Sequence, residues 1–277
     1  MTNRQLTAAH IAAYARHLRS EERAPATIEK YLRDVRAFAV WLTDREVTKD
    51  LAAQWKAALL KQGLTPATVN AKLSAVNGLF RLLGWSDCRV KFLKLQRRVF
   101  RDAARELSRE DYDQLVAAAC GGMSLLLQTI CATGIRVSEV RYITVEAASA
   151  GRAEVALKGK IRTILLPGKL CRKLLKYARK QKIASGEIFL TKDGKGMSRQ
   201  QIWRKMKSLC KKAGVEASKV FPHNLRHLFA SAFYKATRDI VKLADVLGHS
   251  SINTTRIYLL STGAEHARQL EKLGFVQ

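Results

Sequence analysis

The chain has 277 residues, enough for one large domain or two modest ones with a real core. Its 50 Lys and Arg against 23 Asp and Glu leave a formal charge of +27, and basic side chains are in excess both in the first hundred residues and in the remainder. Self-repulsion on that scale points to a polyanionic partner, nucleic acid above all, and against a neutral enzyme with a basic tail. The five cysteines include no CxxC pair. A zinc site and a disulfide framework are therefore not expected, and reduced core thiols are. With no apolar run of ~18 residues and no signal-peptide core at the N-terminus, a cytoplasmic protein without a membrane partner is expected.

The first 84 residues read as helices. Ile28, Tyr31, Leu32, Val35, Phe38, Ala39 and Leu42 recur at three- and four-residue steps, and Val69, Leu73, Val76, Phe80 and Leu83 do the same. Thr65-Pro66 ahead of the second run is a cap followed by a first-turn proline, and Gly84 closes it. Shorter amphipathic segments at Ala8–Leu18 and Leu51–Leu60 complete four helices, predicting a helical domain over residues 1–88. Seven basic residues from Arg89 to Arg105 then crowd a stretch without clean periodicity, which reads as a basic linker over residues 89–106.

A second domain is predicted over residues 107–277. Ser108 with Asp111 is a helix cap with an acidic first turn. Met123–Ala132 is apolar nearly all round, as a buried helix would be. The segments AEVAL and IRTILL flank Lys158-Gly159-Lys160 and predict a β-hairpin with a basic tip; Ile188-Phe189-Leu190 predicts a further short strand. Helix returns from Ser198, with Ile202, Met206 and Leu209 on one face and Gly214 at its end. After residue 264 an amphipathic tail helix is expected, with Ala267, Leu270 and Leu273 on one side. The fold class is thus mainly α with a small β-sheet.

Four short segments carry the chemistry: ATGIRVSEV at 132–140, ALKGKIRTILLP at 156–167, PHNLRHLFA at 222–230 and LGHSSINTTRIYL at 247–259. Each alone is weak; a His-x-x-Arg-His helix is by itself more often a solvated face than a site. In this order and spacing the set resembles the tyrosine recombinases, the phage-type integrases and Xer-type recombinases. The resemblance covers the C-terminal ~170 residues motif by motif and extends more loosely to the N-terminal helices through ATIEKYLRDVRAFAVWL.

The resemblance implies a helical core-binding domain and an α+β catalytic domain closing on double-stranded DNA as a C-shaped clamp. It implies a catalytic set of Arg136, Lys158, His223, Arg226, His249 and Tyr258. The turn KGK is shorter than the family's GKGNK form, so Lys160 stays an alternative to Lys158. Glu139 and His227 fall where supporting residues of the family lie; an ion pair and a helix-packing histidine describe them equally well.

The chemistry suits these residue types. Breaking a phosphodiester adds negative charge to an anionic centre, and guanidinium groups such as Arg136 and Arg226 donate paired hydrogen bonds to phosphate oxygens. An unassisted phenol ionises near pH 10, so a tyrosine nucleophile needs a base or a positive field, and His223 is the expected base. Lys158 is expected to protonate the leaving 5′-hydroxyl and His249 to hold a phosphate oxygen. A 3′-phosphotyrosyl intermediate follows, conserving bond energy so that rejoining needs no ATP. No cofactor is expected, and no HExxH, Asp-rich pair or G-x-x-x-x-G-K-[ST] occurs. Self-association into a synaptic tetramer on DNA is implied as well. Integration, excision and dimer resolution stay open at this point, as do mobile-element movement and accessory DNA-bending proteins. The competing readings are a type IB topoisomerase and an inactive DNA-binding relative.

Overall fold

The computed structural model describes residues 4–95, 103–157, 160–258 and 271–272. The chain divides into two units, Met1–Arg97 and Arg98–Gln277.

The first unit holds helices α1 (Ala8–Ser20), α2 (Pro25–Leu42), α3 (Lys49–Lys61) and α4 (Pro66–Leu82). Their starts follow local chemistry. The Thr7, Thr48 and Thr65 hydroxyls accept from backbone amides of the first turns of α1, α3 and α4, and prolines open α2 and α4. The apolar faces predicted for α2 and α4 meet: Leu32, Val35, Phe38 and Leu42 are buried with Val69, Leu73, Val76 and Phe80. The Phe38 ring sits 4.9 Å from that of Trp55 and 5.9 Å, edge-on, from that of Phe80. Burying a ring of this size stabilises by roughly 1.5–3 kcal/mol. Gly78 is required by packing, since a Cβ there would lie 2.4 Å from the Tyr14 hydroxyl.

The basic stretch that starts at Arg89 departs from the linker expectation in its first five residues. Val90 is buried in the first core. Asn77 donates to the Val90 carbonyl (3.0 Å) and accepts from its amide (3.1 Å). Two helical turns earlier, Asn70 does the same to Leu93, at 2.9 and 2.8 Å. Two carboxamides on α4 thus stand in for a neighbouring β-strand, satisfying backbone groups that the periodicity of the segment itself does not reveal.

The second unit holds α5 (Arg109–Ala118), α6 (Gly121–Thr133), α7 (Val145–Ala150), β1 (Arg152–Leu157), β2 (Lys160–Leu165), α8 (Gly168–Lys180), α9 (Arg199–Ala213), α10 (Pro222–Thr237), α11 (Ile240–Leu247) and α12 (Ile252–Arg256). The Ser108–Asp111 capping box and the Ser198–Gln201 capping box open α5 and α9. α6 is the central helix, with Leu125, Leu126, Leu127 and Ile130 all buried. β1 and β2 pair antiparallel from Arg152↔Leu165 to Leu157↔Lys160. Ala153, Val155 and Ile164 face the core, while Ile161 and Leu165 are exposed. Ile188-Phe189-Leu190 is not a strand. Its flanks form only isolated bridges, Thr144↔Glu187 and Leu190↔Gly196, because the chain after Thr144 turns into α7 and offers no extended partner. Ile188 and Phe189 are buried nonetheless, which is what their hydrophobicity signalled. The described architecture is mainly α with one two-stranded sheet, and no described helix is long and apolar enough to cross a membrane. The tail helix expected after residue 264 lies outside the described residues, apart from 271–272.

Candidate active site

The glycine-ended helices α6 and α11, the helix α10 and the segment that follows α12 bring the site together. α6 ends at Gly134 (φ +64°), and a Cβ there would strike the Phe229 ring of α10. The chain then enters a 3₁₀ turn, Val137–Tyr142, with Arg136 at its head. Glu139 is 1 % exposed and closes this turn: it accepts from the Arg136 amide (2.7 Å) and from Arg136 Nη1 (2.9 Å). The Arg136 side chain, though bound to Glu139 through Nη1, stays 42 % exposed.

α10 supplies His223 and Arg226, three residues apart and so on one helical face. Between them Asn224 donates to the carbonyls of Arg105 (2.7 Å) and Lys219 (2.8 Å), which anchors the first turn. α11 ends at Gly248 (φ +64°), and His249 follows; Tyr258 follows α12.

Arg226 is the hub, at 2 % exposure. Its Nη1 donates to the Gly134 carbonyl, its Nη2 to the Leu247 carbonyl (2.7 Å), and its Nε to the Tyr258 hydroxyl (3.4 Å). Nη2 also lies 2.9 Å from His249 Nε2. A guanidinium only donates, so His249 Nε2 accepts; its proton is on Nδ1, which donates to Thr255 Oγ1 at 2.9 Å. The sequence-based expectation of two free parallel donors on Arg226 is therefore corrected. Among the described residues four of its N–H groups are engaged, which leaves one on Nη1 for an outside anion.

Tyr258 is 4 % exposed and lies among three imidazoles. The ring centroids of His227, His249 and His223 are 4.3, 5.7 and 5.9 Å from its own, and His249 stacks nearly parallel to it. His227 is thus the nearest ring to the phenol, and it also packs edge-on against His223 at 4.7 Å.

The site is electropositive, and its histidines register this. Burial, followed by the charges of Arg226, Arg136, Arg162 and His223, pushes His249 down to about 4. Burial and then Arg226 and Arg136 lower His223. Burial lowers Arg226 from its ordinary value, though a guanidinium stays charged. Both imidazoles are therefore neutral and present an acceptor nitrogen, the fixed cations oppose their protonation, and the same cations stabilise an anion.

Four of the six predicted residues, His223, Arg226, His249 and Tyr258, meet through ring contacts and hydrogen bonds. Arg136 joins them through its charge, felt at Arg226, His223 and His249. Lys158 lies outside the described residues; Lys160 opens β2 as the partner of Leu157. Sequence reasoning missed Arg162 and Thr255. Arg162 falls on the inward register of β2, opposite Val155 and in phase with Ile164, and a charge in that phase was the available signal. Burial of Thr255 depends on the α12 turn and had no comparable signal.

The sequence matches the phage integrase family over residues 105–265 and the phage integrase N-terminal SAM-like domain over residues 11–86. It is 28 % identical to the tyrosine recombinase XerA of Thermococcus kodakarensis, over 95 % of this chain and 94 % of that protein. It is 26 % identical to XerD of Vibrio cholerae, over 89 % of each. The fold is shared with a lambda integrase (75–356) dimer bound to a COC′ core site, at TM-score 0.74 and 18 % identity, covering 92 % of this chain and 95 % of that one. It is shared too with XerH bound to palindromic difH in a post-cleavage complex, at TM-score 0.70 and 17 % identity, covering 98 % and 84 %.

Proposed function

The chain belongs to the phage integrase family, the tyrosine recombinases, and from that membership we propose that it cuts and rejoins double-stranded DNA at a specific site through a 3′-phosphotyrosyl bond to Tyr258. One observation supports this most. Among the described residues Arg226 is a buried cation whose four partners are all neutral, two carbonyls, an imidazole and a phenol. An uncompensated buried charge is costly, and the cost is offset when an anion binds beside it. A DNA phosphate is the anion that a chain of charge +27 attracts.

In the proposed reaction Tyr258 Oη attacks phosphorus, the P–O5′ bond breaks, and the tyrosyl P–O bond replaces it. His223 takes the phenolic proton. Lys158, or Lys160 in its place, gives a proton to the departing 5′-oxygen. Arg136 and Arg226 hold the non-bridging oxygens, and their fixed charge does most for the pentacoordinate state. His249, neutral near pH 7, positions Arg226 and turns to phosphate only by giving up that bond. Attack by a 5′-hydroxyl of the partner strand reverses the steps and frees Tyr258. In this reading the arginines and lysine supply the positive charge that a metal would, and the phosphotyrosyl bond conserves the energy of the broken phosphodiester, so rejoining needs no ATP.

Residues 1–88, with the clipped segment 89–93 packed onto them, form the core-binding domain in this reading and 107–277 the catalytic domain, and the DNA-bound assembly is a tetramer. The reading is tested by incubating the protein with a plasmid carrying two copies of its native site and with one carrying none. Resolution or inversion confined to the two-site plasmid is expected. Relaxation of supercoils on the plasmid without sites, with no rearranged product on the other, would replace recombination by topoisomerase activity.

A further inference from the structure

We propose that Arg162 is a positioning residue for strand cleavage, its one guanidinium fixing both the carboxylate that holds Arg136 and the end of α11 from which His249 projects. The inference rests on the recombinase reading of Arg136 and His249. Arg162 Nη2 donates to Glu139 Oε2, the oxygen that also accepts from the Arg136 amide. Arg162 Nη1 donates to the Val246 carbonyl at 3.1 Å, in the last turn of α11. Its Nε is buried and has no partner among the described residues, so the orientation is set by these two bonds rather than by all the donors available.

Gly248 lets the side chain reach this position. A Cβ at residue 248 would lie 2.4 Å from Arg162 Cδ, in addition to the strain of its φ of +64°. Three segments are pinned at one point: the hairpin strand β2, the 3₁₀ turn headed by Arg136, and the α11 end leading to His249. A surface ion pair would be worth little, but here the carboxylate side chain is 1 % exposed and the guanidinium side chain 15 %. Glu139 holds its oxygens between two arginines; without Arg162 it is left with Arg136 alone among them. The Arg136 charge is then drawn more strongly inward, and the end of α11 loses its tie to the hairpin. A lysine cannot replace this arrangement, because one ammonium does not span two acceptors as a planar fork does.

The test compares wild type with Arg162→Met and Arg162→Lys in two measurements. In the DNA-free protein, NMR of the histidine ring protons, with His249 assigned through His249→Gln, is expected to show the His249 signals moved in both variants while those of His10 and His17 stay. Unmoved His249 signals would overturn the proposal. On a nicked DNA substrate at saturation, the single-turnover rate constant for adduct formation is expected to fall about 100-fold, the size of a small misplacement at a reacting centre, with DNA affinity and reaction amplitude retained. A misfolded fraction would lower the amplitude and leave the rate constant alone, and a wild-type rate constant in the folded variants would refute the positioning role. If Arg162→Met does not fold, Arg162→Lys, which keeps the charge beside Glu139, carries both measurements. If wild type gives no adduct, it is the recombinase reading that fails, and the ring signals still decide whether Arg162 positions His249.

Discussion

Arg226 Nε stands 3.4 Å from the Tyr258 hydroxyl, with both side chains almost wholly buried. The same guanidinium ties the end of α6 to the end of α11 through the Gly134 and Leu247 carbonyls. One residue therefore joins the architecture of the site to its candidate nucleophile.

Arg226→Lys is expected to lower the rate of adduct formation by roughly 10²–10³, the usual loss when one preorganised donor to a developing charge is removed. It also strips the donor from at least one buried carbonyl, at about 1–3 kcal/mol. Single-turnover cleavage and urea denaturation read the two effects separately. A variant with full activity would remove Arg226 from the chemistry.

Gly248→Ala strains a left-handed residue by about 1–2 kcal/mol and pushes its new Cβ into Arg162. Lower stability and slower cleavage are expected together. An unchanged denaturation midpoint would show that the α11 end relaxes freely.

The acid limb of stability carries the mark of His249. Its pKa is pushed from 6.5 to about 4 by burial and by the surrounding cations. Between those values the unfolded chain binds a proton that the folded protein does not, so stability is full above pH 6.5 and falls as pH drops toward 4. Burial and the same arginines lower His223 and add in the same sense. Thermal melts of His249→Gln between pH 7 and pH 4 should show a shallower decline than wild type; equal slopes would contradict the assignment.

Asn77→Ala removes both side-chain bonds to Val90 and leaves a buried amide and carbonyl unsatisfied, at about 1–3 kcal/mol each. Faster amide exchange at Val90 and a lowered denaturation midpoint are expected. Wild-type protection at Val90 would mean that this segment is held by other contacts.

Much of this was legible from residue order. The three- and four-residue spacing of Leu32, Val35 and Phe38 located α2 because one face of it is buried. Arg226, His249 and Tyr258 were singled out because four short motifs, each weak alone, together resemble one family, and their side chains do meet in the fold. The clip on residues 89–93 was not legible, since its donors are two asparagines on α4 and the segment itself reads only as basic. Ile188 and Phe189 announced burial but not pairing, which depends on what Thr144 and its neighbours do. Arg162 escaped because its carboxylate partner, Glu139, lies 23 residues earlier in the chain, so that only its place in the inward phase of β2 marked it.

The most direct test of the account is a nicked DNA substrate from the native locus, incubated with wild type and with Tyr258→Phe in EDTA without ATP, then resolved in SDS. A covalent protein–DNA adduct is expected from wild type and not from the variant. An adduct that persists in Tyr258→Phe, or wild type that binds the substrate and forms none, would contradict it.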